Sequence, residues 1–155
     1  MFKIGDKVCY PLHGAGTIEA IEEKKIMGEI KRYYILRFVL NKLTIMLPVD
    51  NCHGLRQIME ISCIEEVFGG FCEPQDFGGN WNKRYKNNLD QLRSGEVTSV
   101  AGVVNALTLR EREKGLSAGE KKMLVKARQI LVSEILLATN LDEEEINEKI
   151  DINII

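Results

Sequence analysis

Apolar and polar positions follow two different rhythms along the chain, and the change falls near residue 58. Before it, apolar residues come in short runs separated by turn residues. Ile4, Val8 and Tyr10 lie between Gly5-Asp6 and Pro11, and Thr17 to Glu22 alternates as a half-buried strand does. The segment His13-Gly14-Ala15-Gly16 between them is read as a turn, and Gly28 as another. Tyr33 to Leu40 is dense in β-formers, Leu43 to Leu47 forms a further run closed by Pro48, and Leu55 to Met59 is a last short one. Five short strands in so little chain predict a small curled barrel of the SH3 or Tudor type. Such a barrel offers a groove or an edge strand to a partner.

Beyond residue 58 the period lengthens to that of helices. Ser62 to Phe68 predicts a short helix stopped by Gly69-Gly70, followed by a loop containing Pro74, Gly78 and Gly79. Asn80 is a good cap for a helix running to about Leu92, which Ser94-Gly95 breaks. Val97, Val100, Ala101, Val104 and Leu107 mark the inner stripe of a second long helix ending near Gly115. Ser117 and Glu120 have capping-box spacing and open a third, with Leu124, Ala127, Leu131, Ile135 and Ala138 facing inward. Asp142 and Glu145 repeat that spacing for a final short helix. The predicted fold is therefore α+β: a small SH3/Tudor-like β-barrel over residues 1–58, then a compact all-α bundle of four to five helices over residues 59–155.

Composition narrows the class. The chain has 155 residues, 45% hydrophobic and 28% charged, the mix of a globular protein. No apolar stretch is long enough for a transmembrane helix, and the charged start carries no signal-peptide core, so a cytoplasmic protein without a membrane partner is expected. The net charge of −2 hides an uneven layout: +6 over residues 81–128 and −6 over residues 129–155. A basic block before an acidic tail points to a polyanionic partner, although solvated helix faces produce the same counts.

Enzymatic motifs are missing. There is no P-loop, no nucleophile elbow and no His-Glu-x-x-His. The four cysteines (Cys9, Cys52, Cys63 and Cys72) form no Cys-x-x-Cys pair, and in a cytoplasmic chain they are read as unpaired thiols. Cys9 with His13, and Cys52 with His53, lack the spacing of structural zinc sites, so neither a metal nor another cofactor is expected. A thiol or metal enzyme built on these residues is the rival class.

The densest chemistry lies in Asn80-Trp81-Asn82-Lys83-Arg84-Tyr85-Lys86-Asn87-Asn88, which holds the sole tryptophan and three bases at a helix start. Bases neutralise phosphates, helix N-termini favour anions, and an apolar wedge enters a minor-groove base step. Against this, Trp81, Tyr85, Leu89 and Leu92 follow a 4-4-3 spacing, and periodicity by itself favours a buried tryptophan. Position argues the other way, since Trp81 is the first helical residue, beside a glycine loop. Lys121 and Lys122 sit near the next helix N-terminus, against the dipole, where a phosphate partner gives a reason for them. Arg110, Arg112 and Lys114, at a C-terminus, are what the dipole prefers.

The run Asn80 to Lys86 resembles a signature of the CarD/CdnL family of bacterial transcription regulators. Gly115-Leu116-Ser117-Ala118-Gly119-Glu120-Lys121-Lys122-Met123-Leu124 with Lys126 to Leu131 resembles a second. Phe2-Lys3-Ile4-Gly5-Asp6, Tyr10-Pro11 and His13-Gly14 are similar to the family's RNA-polymerase-interacting domain, which transcription-repair coupling factor also carries. The resemblance implies a Tudor-like unit on the RNA polymerase β subunit and a helical unit on double-stranded promoter DNA. Trp81 matches a wedge that enters the minor groove at the upstream edge of the transcription bubble; Lys83, Arg84, Lys86 and Lys121 match positions facing the DNA backbone. Lys24 falls at a basic position on the polymerase side, and Met46 where some relatives carry arginine. The expected action is stabilisation of the open complex without base readout. The alternative is an architectural DNA binder independent of polymerase. Nothing demands a dimer, so a monomer is expected.

Overall fold

A computed structural model describes residues 1–69 and 80–154. The N-terminal part is a five-stranded antiparallel sheet of order β4-β3-β2-β1-β5. Its strands are β1 (Lys7–Tyr10), β2 (Gly14–Ile26), β3 (Glu29–Phe38), β4 (Thr44–Pro48) and β5 (Arg56–Gln57). Ile26 pairs with Glu29 across the two-residue turn Met27-Gly28, both at positive φ (52° and 83°), as a primed hairpin turn requires. The register shifts between Ile18 and Ala20, so Glu19 is accommodated as a bulge that curls the sheet. Val8, Ile18, Tyr34, Leu36, Phe38 and Leu47 close over one another as the core of this half.

The expected turn at His13–Gly16 holds only for His13, which closes a turn by donating its amide to the Tyr10 carbonyl (3.0 Å). Gly14, Ala15 and Gly16 belong to β2 and pair with Tyr10, Cys9 and Val8. Gly14 takes a φ of 102°, and both glycines also answer to close approach. A Cβ at Gly14 would stand 2.8 Å from Ser133 Oγ, and one at Gly16 would run into the Arg37 carbonyl. Ile4, expected among the apolar positions of the first strand, lies before β1 and is exposed.

After a 3-10 turn (Ile61–Cys63) the helices are α1 (Ile64–Gly69), α2 (Trp81–Ser94), α3 (Val97–Glu113), α4 (Ala118–Ala138) and α5 (Glu143–Asn153). The expected loop with Pro74, Gly78 and Gly79, together with Gly70 and Cys72, lies outside the described residues. Each N-cap read from sequence is made. Asn80 accepts from the Lys83 amide, Ser117 from Glu120 and Asp142 from Glu145. Gly95 ends α2 at φ 74°. Val100, Ala101, Val104 and Leu107 of α3 meet Ala127, Leu131 and Ile135 of α4 in the helical core, with Ile146 and Ile150 of α5.

The two halves are joined, not strung together. Helix α4 lies against β2, and the Ala15 amide donates to Ser133 Oγ (2.9 Å), which itself donates to the Ile130 carbonyl (2.6 Å). Arg56 of β5 makes two bonds to buried Glu134 of α4 (2.7 and 2.8 Å) and donates through Nε to the Gly95 carbonyl (2.8 Å). The Met59 amide donates to the same Glu134 carboxylate (2.7 Å). Leu12 and Leu40 of the strand half pack against the helical core. Among the described residues, no helix is long and apolar enough to cross a membrane.

Candidate nucleic-acid interface

Asn80 caps α2 by accepting from the Lys83 amide, so Trp81 stands on its first turn. The ring is neither buried nor free, and keeps 40% of its surface exposed. It stacks on Tyr85 one turn later, with centroids 4.9 Å apart and planes inclined by 19°. Its Nε1–H donates to the Ser117 hydroxyl at 2.8 Å. A Cβ at Gly119 would lie 3.5 Å from its Cζ2 carbon. The 4-4-3 stripe is thus split: Leu92 is buried, Tyr85 and Leu89 are partly buried against the helical core, and Trp81 tops the stripe at the surface.

That hydrogen bond brings the first turns of α2 and α4 side by side. Lys83 and Lys86 on α2, and Lys121 and Lys122 on α4, are all exposed. Lys121 and Lys122, with Lys126, also edge a cavity of about 690 Å³ between α4 and the strand half, floored by Leu12, Phe38 and Leu40. Arg84 is placed differently. Its side chain is only 17% exposed and turns inward, 3.9 Å from Glu120 Oε1. Glu120 is 2% exposed, and its Oε2 has no hydrogen-bond partner among the described residues.

Sequence reasoning singled out Ser117 and Glu120 as a cap only. Their closeness to Trp81 depends on how two helices 36 residues apart meet, for which the chain carries no local signal.

The other two singled-out residues lie in the sheet. Lys24 of β2 is exposed and pairs loosely with Glu22 (3.8 Å), an arrangement worth little in water. Met46 is 42% exposed on β4, which among the described residues is an edge strand of the sheet. Lys24 is opposite Lys31, and Met46 is opposite Ile35. Lys31 and Ile35 are four apart on β3, so Lys24 and Met46 emerge on one face of the sheet, away from the Tyr34–Leu36–Leu47 core. Met27 at the hairpin tip and Ile30 beside it are exposed on the same end.

Among the described residues no three His, Cys, Asp or Glu side chains are grouped to hold a metal. Burial first, and the Glu134 charge second, push the Cys9 thiol from 9.0 up to about 12, which keeps it protonated and a poor nucleophile. Burial alone would lower the ionisation of Arg56, but its bonds to Glu134 outweigh that and raise it.

Fold and site together define an α+β protein in which a Tudor-like sheet is locked to a helical unit displaying one indole among lysines. The family model for the CarD C-terminal domain matches residues 72–151, and the CarD-like/TRCF RID domain matches residues 2–59. The chain belongs to the CarD/CdnL family, a family of transcription factors and not an enzyme class. It is 38% identical over 149 residues to the Bacillus subtilis (strain 168) protein named "Putative transcription factor YdeB", covering 94% of this chain and 97% of that one.

Proposed function

We propose that this protein regulates transcription initiation by holding RNA polymerase with one half and promoter DNA with the other. Residues 1–58 form the unit that docks on the polymerase β subunit, through the β4 edge with Met46 and the neighbouring face with Lys24. Residues 59–155 form the unit that lies on double-stranded DNA at the upstream edge of the bubble. The observation that carries the reading is the half-exposed indole of Trp81 where two helix N-termini meet among Lys83, Lys86, Lys121 and Lys122. Helix N-termini and lysines attract phosphates, and an indole is shaped to enter a base step. Arg84 supports this face from behind, through Glu120.

Unstacking a base step costs a few kcal/mol, so a wedge binds best where the duplex is already opening. Binding the open complex more tightly than the closed one shifts the equilibrium toward opening, and only that difference can. The locked joint between the halves makes DNA binding intramolecular once polymerase is held, so weak contacts without base readout suffice. The protein acts in the cytoplasm, as a monomer on each polymerase.

Replacement Trp81→Ala tests the reading. Loss of the added open-complex lifetime, with polymerase still co-purifying, supports it. An unchanged lifetime removes the wedge. Replacement Met46→Asp should release polymerase. A wild-type protein that binds DNA but never polymerase is a free-standing architectural binder instead.

A further inference from the structure

We infer that Ser117 is a positioning residue for the Trp81 indole, set in its role by Glu120; this rests on the wedge reading above. A serine hydroxyl has one proton to give and two lone pairs to accept with. At Ser117 all three are used. The oxygen accepts from the Glu120 amide (3.2 Å) and from Trp81 Nε1 (2.8 Å), while the hydroxyl donates to Glu120 Oε1 (3.2 Å). Donation to the carboxylate fixes the direction of the O–H, and the lone pairs that remain are aimed at the helix amide and the indole.

The capping box is altered to achieve this. In its usual form the glutamate three residues on reaches back to the backbone amide of the cap. Here the Glu120 side chain accepts from the serine hydroxyl, and Arg84 of α2 approaches the same oxygen at 3.9 Å. Arg84 stands three residues after Trp81, so the chain Trp81–Ser117–Glu120–Arg84 closes on itself between the two helices. It is maintained although it leaves Glu120 Oε2 buried without a hydrogen-bond partner among the described residues. A buried carboxylate oxygen so placed is costly, and capping α4 does not require it.

The consequence is a ring held before DNA arrives. Tyr85 covers one face, and Ser117 with Gly119 covers the Nε1–Cζ2 edge. The 40% left exposed is the part available to a base step. A ring already in one rotamer does not lose that freedom on insertion, an advantage of roughly two- to tenfold in complex stability.

The experiment uses the full chain and three variants: Ser117→Gly, Ser117→Thr and Trp81→Ala. Glycine caps a helix nearly as well as serine, so the first removes the hydroxyl while α4 stays formed, and threonine restores it. Trp81 is the only tryptophan, so fluorescence reads its surroundings directly. In Ser117→Gly without DNA, the expected result is red-shifted emission and stronger acrylamide quenching. On polymerase–promoter complexes, the added open-complex lifetime should fall by roughly two- to tenfold. Ser117→Thr should match wild type in both. Unchanged emission and quenching in Ser117→Gly would overturn the inference. So would altered emission with an undiminished lifetime, provided Trp81→Ala abolishes that lifetime. If Trp81→Ala leaves the lifetime at the wild-type value, the wedge reading itself falls, and the role assigned to Ser117 falls with it; the fluorescence then still reports whether the hydroxyl holds the ring.

Discussion

Arg56 and Glu134 meet at 2.7 and 2.8 Å, whereas Arg84 and Glu120 approach only to 3.9 Å. Both glutamates are about 2% exposed. The first pair is saturated: Glu134 also takes the Met59 amide, and Arg56 also reaches the Gly95 and Gln57 carbonyls. In the second, one oxygen of Glu120 is spent on a serine and an arginine while the other has no hydrogen-bond partner among the described residues. The difference separates two tasks. The joint fixes how the strand half sits on the helical half, and short paired bonds resist any change of it. At the Trp81 site one 2.8 Å bond to Ser117 holds the ring, while the contacts behind that hydroxyl loosen to 3.2 Å at Glu120 and 3.9 Å between Glu120 and Arg84.

Breaking the joint should cost most. Glu134→Ala strands the Arg56 charge and should destabilise the fold by about 3–5 kcal/mol in chemical denaturation. A loss under about 1 kcal/mol would mean that the joint is no tighter than a surface pair. Glu120→Ala makes the direct contrast. It removes the carboxylate beside Arg84, but relieves an unpartnered oxygen, and should cost about 1–2 kcal/mol by the same assay. Equal losses for the two variants would erase the distinction between the pairs.

Cys9 probes the joint from its other side. Its thiol is raised from 9.0 to about 12 by burial and then by Glu134. The unfolded chain therefore gives up this proton first. The contribution to stability is complete below pH 9.0 and is lost as pH rises toward 12. Relative to Cys9→Ala, the wild-type protein should lose stability across that window, and Cys52 should be alkylated before Cys9 in the native state. Native Cys9 reacting as fast as Cys52 at pH 9 would show that the joint opens readily. The smallest effect is expected at the rim. Lys83→Ala and Lys86→Ala should leave the melting temperature unchanged, and each should reduce the salt dependence of DNA binding by about one unit of slope. No change in slope would remove these lysines from the DNA face.

Legibility follows the distance over which a group finds its partner. Asn80, Ser117 and Asp142 were readable as caps because each bonds an amide three residues on. The strands of the barrel and the stripes of α3 and α4 were readable because burial repeats with the period of the element. Gly14 and Gly16 were not. The turn reading fits the φ of 102° at Gly14, but the close approaches of Ser133 and the Arg37 carbonyl come from segments remote in sequence. Arg84 and Lys83 are adjacent bases about 100° apart on one helix, and nothing local says which of them faces Glu120. For Trp81 the two readings were each half met, since the ring rests on Tyr85 and is still open to solvent.

The amino-acid order alone determined the barrel-then-bundle plan, the helix ends and the membership of the basic block, since those depend on backbone propensity, capping and period within a few residues. Tertiary structure decided which base turns inward, what holds the indole and how the two halves are locked. Each of those is a polar group satisfied by a partner from a distant segment, and only the packed chain brings the two together.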